Sequence, residues 1–353
     1  MLTKDHRIAL FMQDSLGSDN GKMGYGIMRY SANPTACVID STQAGQTVRQ
    51  ACGLPFDVPV VSSIAEAQAL GANVIITGTA PSGGRIPKGW LPALHEALAA
   101  GMSLVNGLHD SLSELLDVEL SQSQFIWDIR QPQFTPQIGS GLAANQKNLR
   151  VLMIGTDMAI GKMTVGLELY RWSQRQSLSS AFVATGQVGI SITGSGIPLD
   201  CFKVDHACGA VETAVLREAD KDLVFIEGQG SLLHPGSSAT LALMRGSCAN
   251  RFILCHQAGM TSIETSNNKR RVRVPPLRDF IQLNEQLASV YGSLTTAKTV
   301  GIALNTSHLS DLDAKAEIAR LENELGLPVQ DLVRYGAEKL GNALLSSANE
   351  FRL

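Results

Sequence analysis

Charged and aromatic side chains are scarce in this chain. Asp, Glu, Lys and Arg make up 17% of its 353 residues, Phe, Trp and Tyr 5%, and the net charge is −3. A balance this close to neutral gives no reason to expect nucleic acid or an anionic membrane as a partner. Long apolar runs are missing too, since nothing approaches the roughly 20 uninterrupted apolar residues of a membrane span. The start, residues 1–7, is polar and leads straight into a strand, so no signal peptide is expected. Cys-x-x-Cys pairs are absent. The six cysteines, Cys37, Cys52, Cys201, Cys208, Cys248 and Cys255, mostly lie in apolar runs. They read as reduced core residues of a cytoplasmic protein rather than as a zinc site or a disulfide framework, and no metal site is expected.

What the chain does have is an apolar content of 44% and 33 glycines, which suits a loop-rich α/β protein. Its length exceeds what one core usually supports, so two domains are expected. Residues 8–12, 36–40, 73–77 and 103–106 are short apolar runs of the kind found in buried parallel strands. Helical spacing at 64–70 and 91–100 alternates with them, the latter opened by Pro87 and closed by Gly101. This alternation predicts a Rossmann-like parallel sheet over residues 1–130. Residues 131–148, with Pro132, Pro136, Gly139 and Gly141, read as a linker.

A second alternating set fills residues 149–353. Strands are expected at 149–155, 180–185, 223–227, 251–256 and 300–305. Helices are expected at 162–176, 209–219, 238–246, 277–291, 309–325 and 336–347. The first of these strands runs into Gly155-Thr156-Asp157-Met158-Ala159-Ile160-Gly161-Lys162-Met163-Thr164. An apolar strand, a glycine-bracketed loop and Gly-Lys at a helix start give outward-pointing amides, a positive helix end and an ammonium, so phosphate is the expected guest. The pattern is a variant: five residues separate the glycines, and Met163 stands where Ser or Thr normally follows the lysine. Thr164 is the nearest hydroxyl that could reach a metal. Together these features predict a second domain of the P-loop NTPase type. An internal echo, Gly17 to Met23, repeats Gly-Lys-Met and reads either as a second anion site or as a glycine turn with a solvated lysine.

Further candidates lie at the ends of strands, where open α/β sheets hold ligands. Glu227 ends an apolar strand and opens the loop Gly228-Gln229-Gly230-Ser231-Leu232-Leu233-His234. A carboxylate there can hold Mg²⁺, take a proton from an amine, or simply cap loop amides. His234 is the best placed imidazole for proton transfer, the alternative being a loop brace, and Ser231 adds a hydroxyl. Gln187, in a glycine-rich loop that starts at Thr185, both donates and accepts, as recognition of a carboxylate or amide requires. Asp205 and Glu212 could bind a metal or an ammonium, or could be an acidic pair at a helix start. Asn305 ends the last long strand. Arg270, Arg271 and Arg273, with Lys269, form a short basic run that is either solvated or a clamp for outlying phosphate groups. In the first domain, residues 78–84 and 106–110 end strands and could close a cleft, with His109 a spare base.

Taken together these segments resemble the DgcN-like family, formerly catalogued as a domain of unknown function. The resemblance covers most of the chain. It rests on Ile39-Asp40-Ser41 with Ala44-Gly45, on residues 78–84, on Gly107-Leu108-His109, on the loop from Gly155 to Thr164, on residues 185–189 and 227–235, on Cys255-His256-Gln257-Ala258-Gly259, and on Ala303-Leu304-Asn305-Thr306. Val188 and His206 depart from the family pattern, where a threonine and an aromatic residue are expected. The resemblance implies a Rossmann-like domain followed by a P-loop domain. It also implies N-acetylation of D-glutamate with acetyl-CoA as co-substrate. The phosphate loop would hold the CoA pyrophosphate, with Gly155, Thr156, Asp157, Ala159, Ile160, Gly161, Lys162, Met163 and Thr164 as its residues and Arg270 and Arg271 beyond it. Glu227 or His234 would accept the proton, while Gln187, Asp205, Ser231 and Asn305 are candidates to meet the substrate. The loop and Glu227-Gly228-Gln229-Gly230 also resemble dethiobiotin synthetase, which implies the alternative of an ATP- and Mg²⁺-dependent ligase or kinase; a third reading, from a non-enzyme class, is a module whose loop senses nucleotide without turnover. Met163, in place of the metal-binding hydroxyl, weighs toward acyl transfer. A small molecule is the expected partner and a homo-oligomer the expected assembly.

Overall fold

The computed structural model describes residues 2–132, 134–265 and 270–349. Six strands form the first sheet: β1 Ile8–Phe11, β2 Thr35–Ile39, β3 Val60–Val61, β4 Val74–Thr77, β5 Ser103–Asn106 and β6 Ile126–Asp128. They are all parallel, in the order β3-β2-β1-β4-β5-β6, the arrangement of a Rossmann-like sheet. The longer strands are buried on both faces, which is why they read as unbroken apolar runs. Phe11, Trp90, Leu94 and Leu104 are among the side chains that fill one face. β3 and β6 were not foreseen: two or three residues at the sheet edges carry too little periodicity to be read.

The second sheet contains β7 Leu149–Gly155, β8 Ser180–Val183, β9 Leu223–Ile226 and β10 Arg251–Gln257. A small antiparallel ribbon follows, β11 Ser262–Glu264 with β12 Arg271–Arg273, and then β13 Lys298–Asn305 and β14 Val329–Gln330 complete the sheet. The order β14-β13-β10-β7-β9-β8, again all parallel, places β7 at the centre with β9 on one side and β10 on the other. That position determines what surrounds the phosphate loop, because the carboxyl ends of β9 and β10 must flank it. The core beneath is built on Val151, Met153, Leu169, Trp172, Phe225 and Ile253. Arg150, 1% exposed, ties the amino end of β7 down by donating to the carbonyls of Gln146, Asn148, Ser247 and Cys248. A buried guanidinium is tolerable when its donors are spent in this way.

The chain divides into two compact units, residues 1–133 with 187–201, and 134–186 with 202–353. The excursion 187–201 differs from a simple division of the chain near residue 149. It contains a helix, Gln187–Thr193, whose sequence (Gln-Val-Gly-Ile-Ser-Ile-Thr) reads as a loop on propensity and is held by packing. The stretch read as a linker is anchored rather than free. Ser140 donates to Glu212 from its N–H at 2.9 Å and from its hydroxyl at 3.0 Å, and the ring of His206 sits 2.8 Å from the Pro136 carbonyl. Among the described residues no helix is long and apolar enough to cross a membrane.

Candidate active site

β7 delivers the chain into the loop 156–161 and then into the helix Lys162–Arg175. Two backbone positions in this turn are left-handed, Ala159 at φ 52° and Gly161 at φ 106°. Gly161 is the residue type that such a position requires, while Ala159 adopts it at a cost of roughly 1–2 kcal/mol. The first bond of the helix runs from Val165 N–H to Gly161 O. The N–H groups of Lys162, Met163 and Thr164 therefore have no acceptor within the helix and form the positive end of its dipole.

Lys162 is 6% exposed, and its Nζ donates to the carbonyl of its own loop, Asp157 O, at 2.6 Å. Burial lowers its pKa, opposed by Cys255, Asp157 and Glu227. The ammonium is thus held inside the loop by a neutral acceptor, which an anion can replace. Thr156, fully buried, fixes the start of the loop to β10. Its N–H donates to Cys255 O at 3.1 Å, and its hydroxyl lies 3.0 Å from His256 Nδ1. Burial pushes His256 down to about 4, so this imidazole is neutral near pH 7. His256 was not among the sequence candidates for chemistry, because it is hidden in the apolar run of β10.

Glu227 follows β9 and is 3% exposed. Its Oε2 accepts from the N–H groups of Thr185 at 2.8 Å and Gly186 at 3.0 Å, so the carboxylate caps amides, those of the 185–186 turn. Burial nevertheless raises its pKa to about 7, since those bonds, Gln229 and Lys162 compensate desolvation only in part. A carboxylate with this pKa exchanges protons at neutral pH, which is the property a general base needs. Gly228, the next residue, is required by close packing: a Cβ there would lie 1.7 Å from Met153 O.

The other candidates are scattered. His234 Nδ1 accepts from Gly236 N–H at 3.1 Å, so the ring braces the loop. Ser231 is fully buried, and its hydroxyl accepts from Leu233 N–H. Asn305, half-buried at the end of β13, accepts from Ser307 N–H through Oδ1. Arg270 and Arg271 are exposed on the ribbon that rises from the carboxyl end of β10, and Lys269 lies outside the described residues. Gln187 belongs to the first unit, beside Gly107. Asp205 is not brought to the phosphate loop. It is exposed and lines a cavity of about 490 Å³ with Cys208, Arg245, Cys248 and Thr295, near the amino ends of the strands. Its helix, Val204–Leu216, starts five residues before the expected 209. The same shift moves Glu212 from the first turn into the helix interior, where it holds Ser140. Met163 and Thr164 are half-buried in the first turn after Lys162.

A Rossmann-like sheet joined in one chain to a parallel sheet with a phosphate loop defines a two-domain α/β enzyme architecture. The chain belongs to the DUF1611 family: the C-terminal P-loop domain of that domain of unknown function matches residues 137–341, and its N-terminal Rossmann-like domain matches residues 41–132. A relative from Tritonibacter scottomollicae that is 34% identical over 304 residues, 85% of this chain and 89% of its own, is named D-glutamate N-acetyltransferase. One from Pseudoalteromonas, 35% identical over 282 residues, 79% of this chain and 83% of its own, carries the same name. The crystal structure of a DUF1611 family protein from Anabaena variabilis superposes with a TM-score of 0.90 at 43% identity, covering 97% of this chain and 99% of that one.

Proposed function

We propose that the chain transfers an acetyl group from acetyl-CoA to the amino group of a small acidic amino acid, D-glutamate in the first instance. The observation that carries this reading is the loop around Lys162: a buried ammonium stands at a helix start whose first three amides have no acceptor within the helix, while Met163 replaces the hydroxyl that would hold Mg²⁺. A diphosphate needs the first two and not the third. The two relatives of the same name supply the reaction class.

In this reading Lys162 leaves Asp157 O for a phosphate oxygen, and Arg270 and Arg271 hold phosphate lying beyond the loop. The thioester supplies an activated acyl carbon, and only a neutral amine attacks it. Glu227, raised to about 7, takes the ammonium proton. His234 is the weaker candidate, because its Nδ1 lone pair is occupied by Gly236 N–H. N–H groups of the glycine loops face the negative charge that develops on the acyl oxygen.

One observation favours a second reading. Glu227 stands beside the phosphate loop, where nucleotide-hydrolysing enzymes carry a metal-binding acid, which is why an ATP-dependent ligase deserves a test. Its Oε2, however, is spent on two backbone amides. The test follows free thiol on incubation of the protein with acetyl-CoA and a panel of D- and L-amino acids. Release with D-glutamate is expected, and it should vanish in Lys162→Ala. Absence of release with every acidic amino acid, together with micromolar binding of ATP·Mg²⁺ lost in the same variant, would reverse the assignment.

A further inference from the structure

The first unit has a ligand edge of its own that the acetyl-transfer reading leaves unused. The loop after β5, residues 107–110, is fixed along its backbone. Gly107 N–H donates to Thr77 Oγ1 at 3.1 Å, Leu108 N–H to Asn106 Oδ1 at 3.0 Å, and His109 N–H to Gly84 O at 2.8 Å. Gly107 O in turn accepts from Arg130 Nε at 2.8 Å. The loop lies at the carboxyl ends of β4 and β5, the edge where open parallel sheets hold ligands. Rigid backbone of this kind is what a preorganised binding site needs.

On this frame an imidazole sits beside two guanidinium groups. The exposed ring of His109 lies against Gly84, where a Cβ would come within 2.5 Å of the ring and φ is +63°. Burial, then Arg130 and Arg85, lower the pKa of His109, and Asp110 opposes them. Arg85, its side chain 76% exposed, is steered by Asp110, which also accepts from Ile86 N–H. Arg130 is the informative member. Its side chain is only 12% exposed, Nε donates to Gly107 O, and Nη1 lies against Asp200 in an ion pair. The anionic partner of this desolvated guanidinium is thus a half-exposed carboxylate, Asp200.

We propose that Arg130, His109 and Arg85 form a carboxylate-binding site, in which one carboxylate of a small dicarboxylic acid takes the place of Asp200 against Arg130. The charge count decides between anions. Two guanidiniums face two carboxylates, Asp110 and Asp200, so no surplus remains for a doubly charged phosphate. A single carboxylate that displaces Asp200, whose side chain is 49% exposed and free to turn outward, keeps the balance and gains a planar two-point contact. The dicarboxylate is either the amino-acid acceptor or a molecule that does not react.

Calorimetric titration of the full chain with glutarate, without CoA, tests this. Arg130→Lys is expected to weaken binding at least tenfold and His109→Asn about threefold, while Asp200→Asn strengthens it several-fold by removing the resident carboxylate. His109 and Asp200 are exposed enough for their variants to fold, so they decide the matter should Arg130→Lys melt early. Affinities within twofold of wild type in all three, or no glutarate binding at millimolar concentration, overturn the site. Competitive inhibition by glutarate, with the KM for D-glutamate rising in step in the variants, assigns the carboxylate to the acceptor. Unchanged D-glutamate kinetics assign it to a non-reacting ligand. Arg130-dependent glutarate binding in a protein that transfers no acetyl group would refute the acetyl-transfer reading and leave this site standing.

Discussion

Two turns in this chain end in Gly-Lys-Met, one at residues 21–23 and one at 161–163, and each follows the first strand of a parallel sheet. Their structures differ. At the first, Lys22 is 64% exposed and pairs with Asp19 at 3.1 Å, while Gly21 N–H is taken by Ser18 O and Gly24 N–H by Gly78 O. Gly21 has an ordinary φ of −77°. At the second, Lys162 is buried, Gly161 is left-handed at φ 106°, and the first bond of the helix is Val165 N–H to Gly161 O. Identical letters therefore build a solvated corner in one place and a buried lysine on a left-handed glycine in the other. What separates them is loop length and burial: five residues lie between the glycines at the second turn and three at the first, and the buried Lys162 spends its ammonium on a carbonyl of its own loop.

The largest expected effect breaks this comparison directly. Lys162→Ala should lower kcat/KM for acetyl transfer by 10²–10³-fold, on the scale of losing one preorganised donor, while Lys22→Ala changes it less than twofold. Equal losses would mean that the two turns are equivalent. Next, Glu227→Gln should reduce kcat by about 10²-fold or more. In the wild type, activity should fall as the pH drops through about 7, because protonation removes the base, and the variant should lose that inflection. Gly161→Ala is a smaller perturbation. An added Cβ finds open space there but a left-handed backbone, so a stability loss of roughly 1–2 kcal/mol is expected in thermal melts.

The pH dependence of stability sharpens the contrast further. Glu227 rises from 4.5 to about 7 on folding, so the folded state holds its proton more tightly, and stability falls as the pH rises through that interval. His256 falls from 6.5 to about 4, so the unfolded state binds its proton first, and stability falls as the pH drops through that interval. Each slope is worth on the order of 3 kcal/mol, and in the wild type they oppose one another. Glu227→Gln should expose the histidine slope and His256→Gln the carboxylate slope. Melts of both variants between pH 4 and 7 that show no change in slope would contradict the burial of these two groups. The smallest effect is expected at Asp19→Asn, where an exposed ion pair contributes little and melting should be unaltered.

Much of this was legible in the residues. The apolar runs at 149–155, 223–227 and 251–256 mark the three strands that carry Lys162, Glu227 and His256 to one edge, because buried parallel strands are apolar on both faces. Lys162 and Glu227 could be named because each directly follows such a run. His256 could not be given a role, since its meaning comes from Thr156, one hundred residues away, and only the strand order places β10 beside β7. Short edge strands escaped for want of periodicity. So did the ribbon carrying Arg271, whose three-residue strands gain pairing only from each other. The helix Gln187–Thr193 escaped because its β-branched residues and glycine argue against the conformation that packing imposes. The helix carrying Asp205 starts at Val204, five residues before the pattern of apolar residues revealed it.

The central claim, that the loop around Lys162 grips a diphosphate, is tested most directly by calorimetric titration of CoA into the wild type, Lys162→Ala and Lys22→Ala. Micromolar binding is expected in the wild type and in Lys22→Ala, with a loss of at least a hundredfold in Lys162→Ala. CoA affinity that is the same in all three, or absent in the wild type, would contradict it.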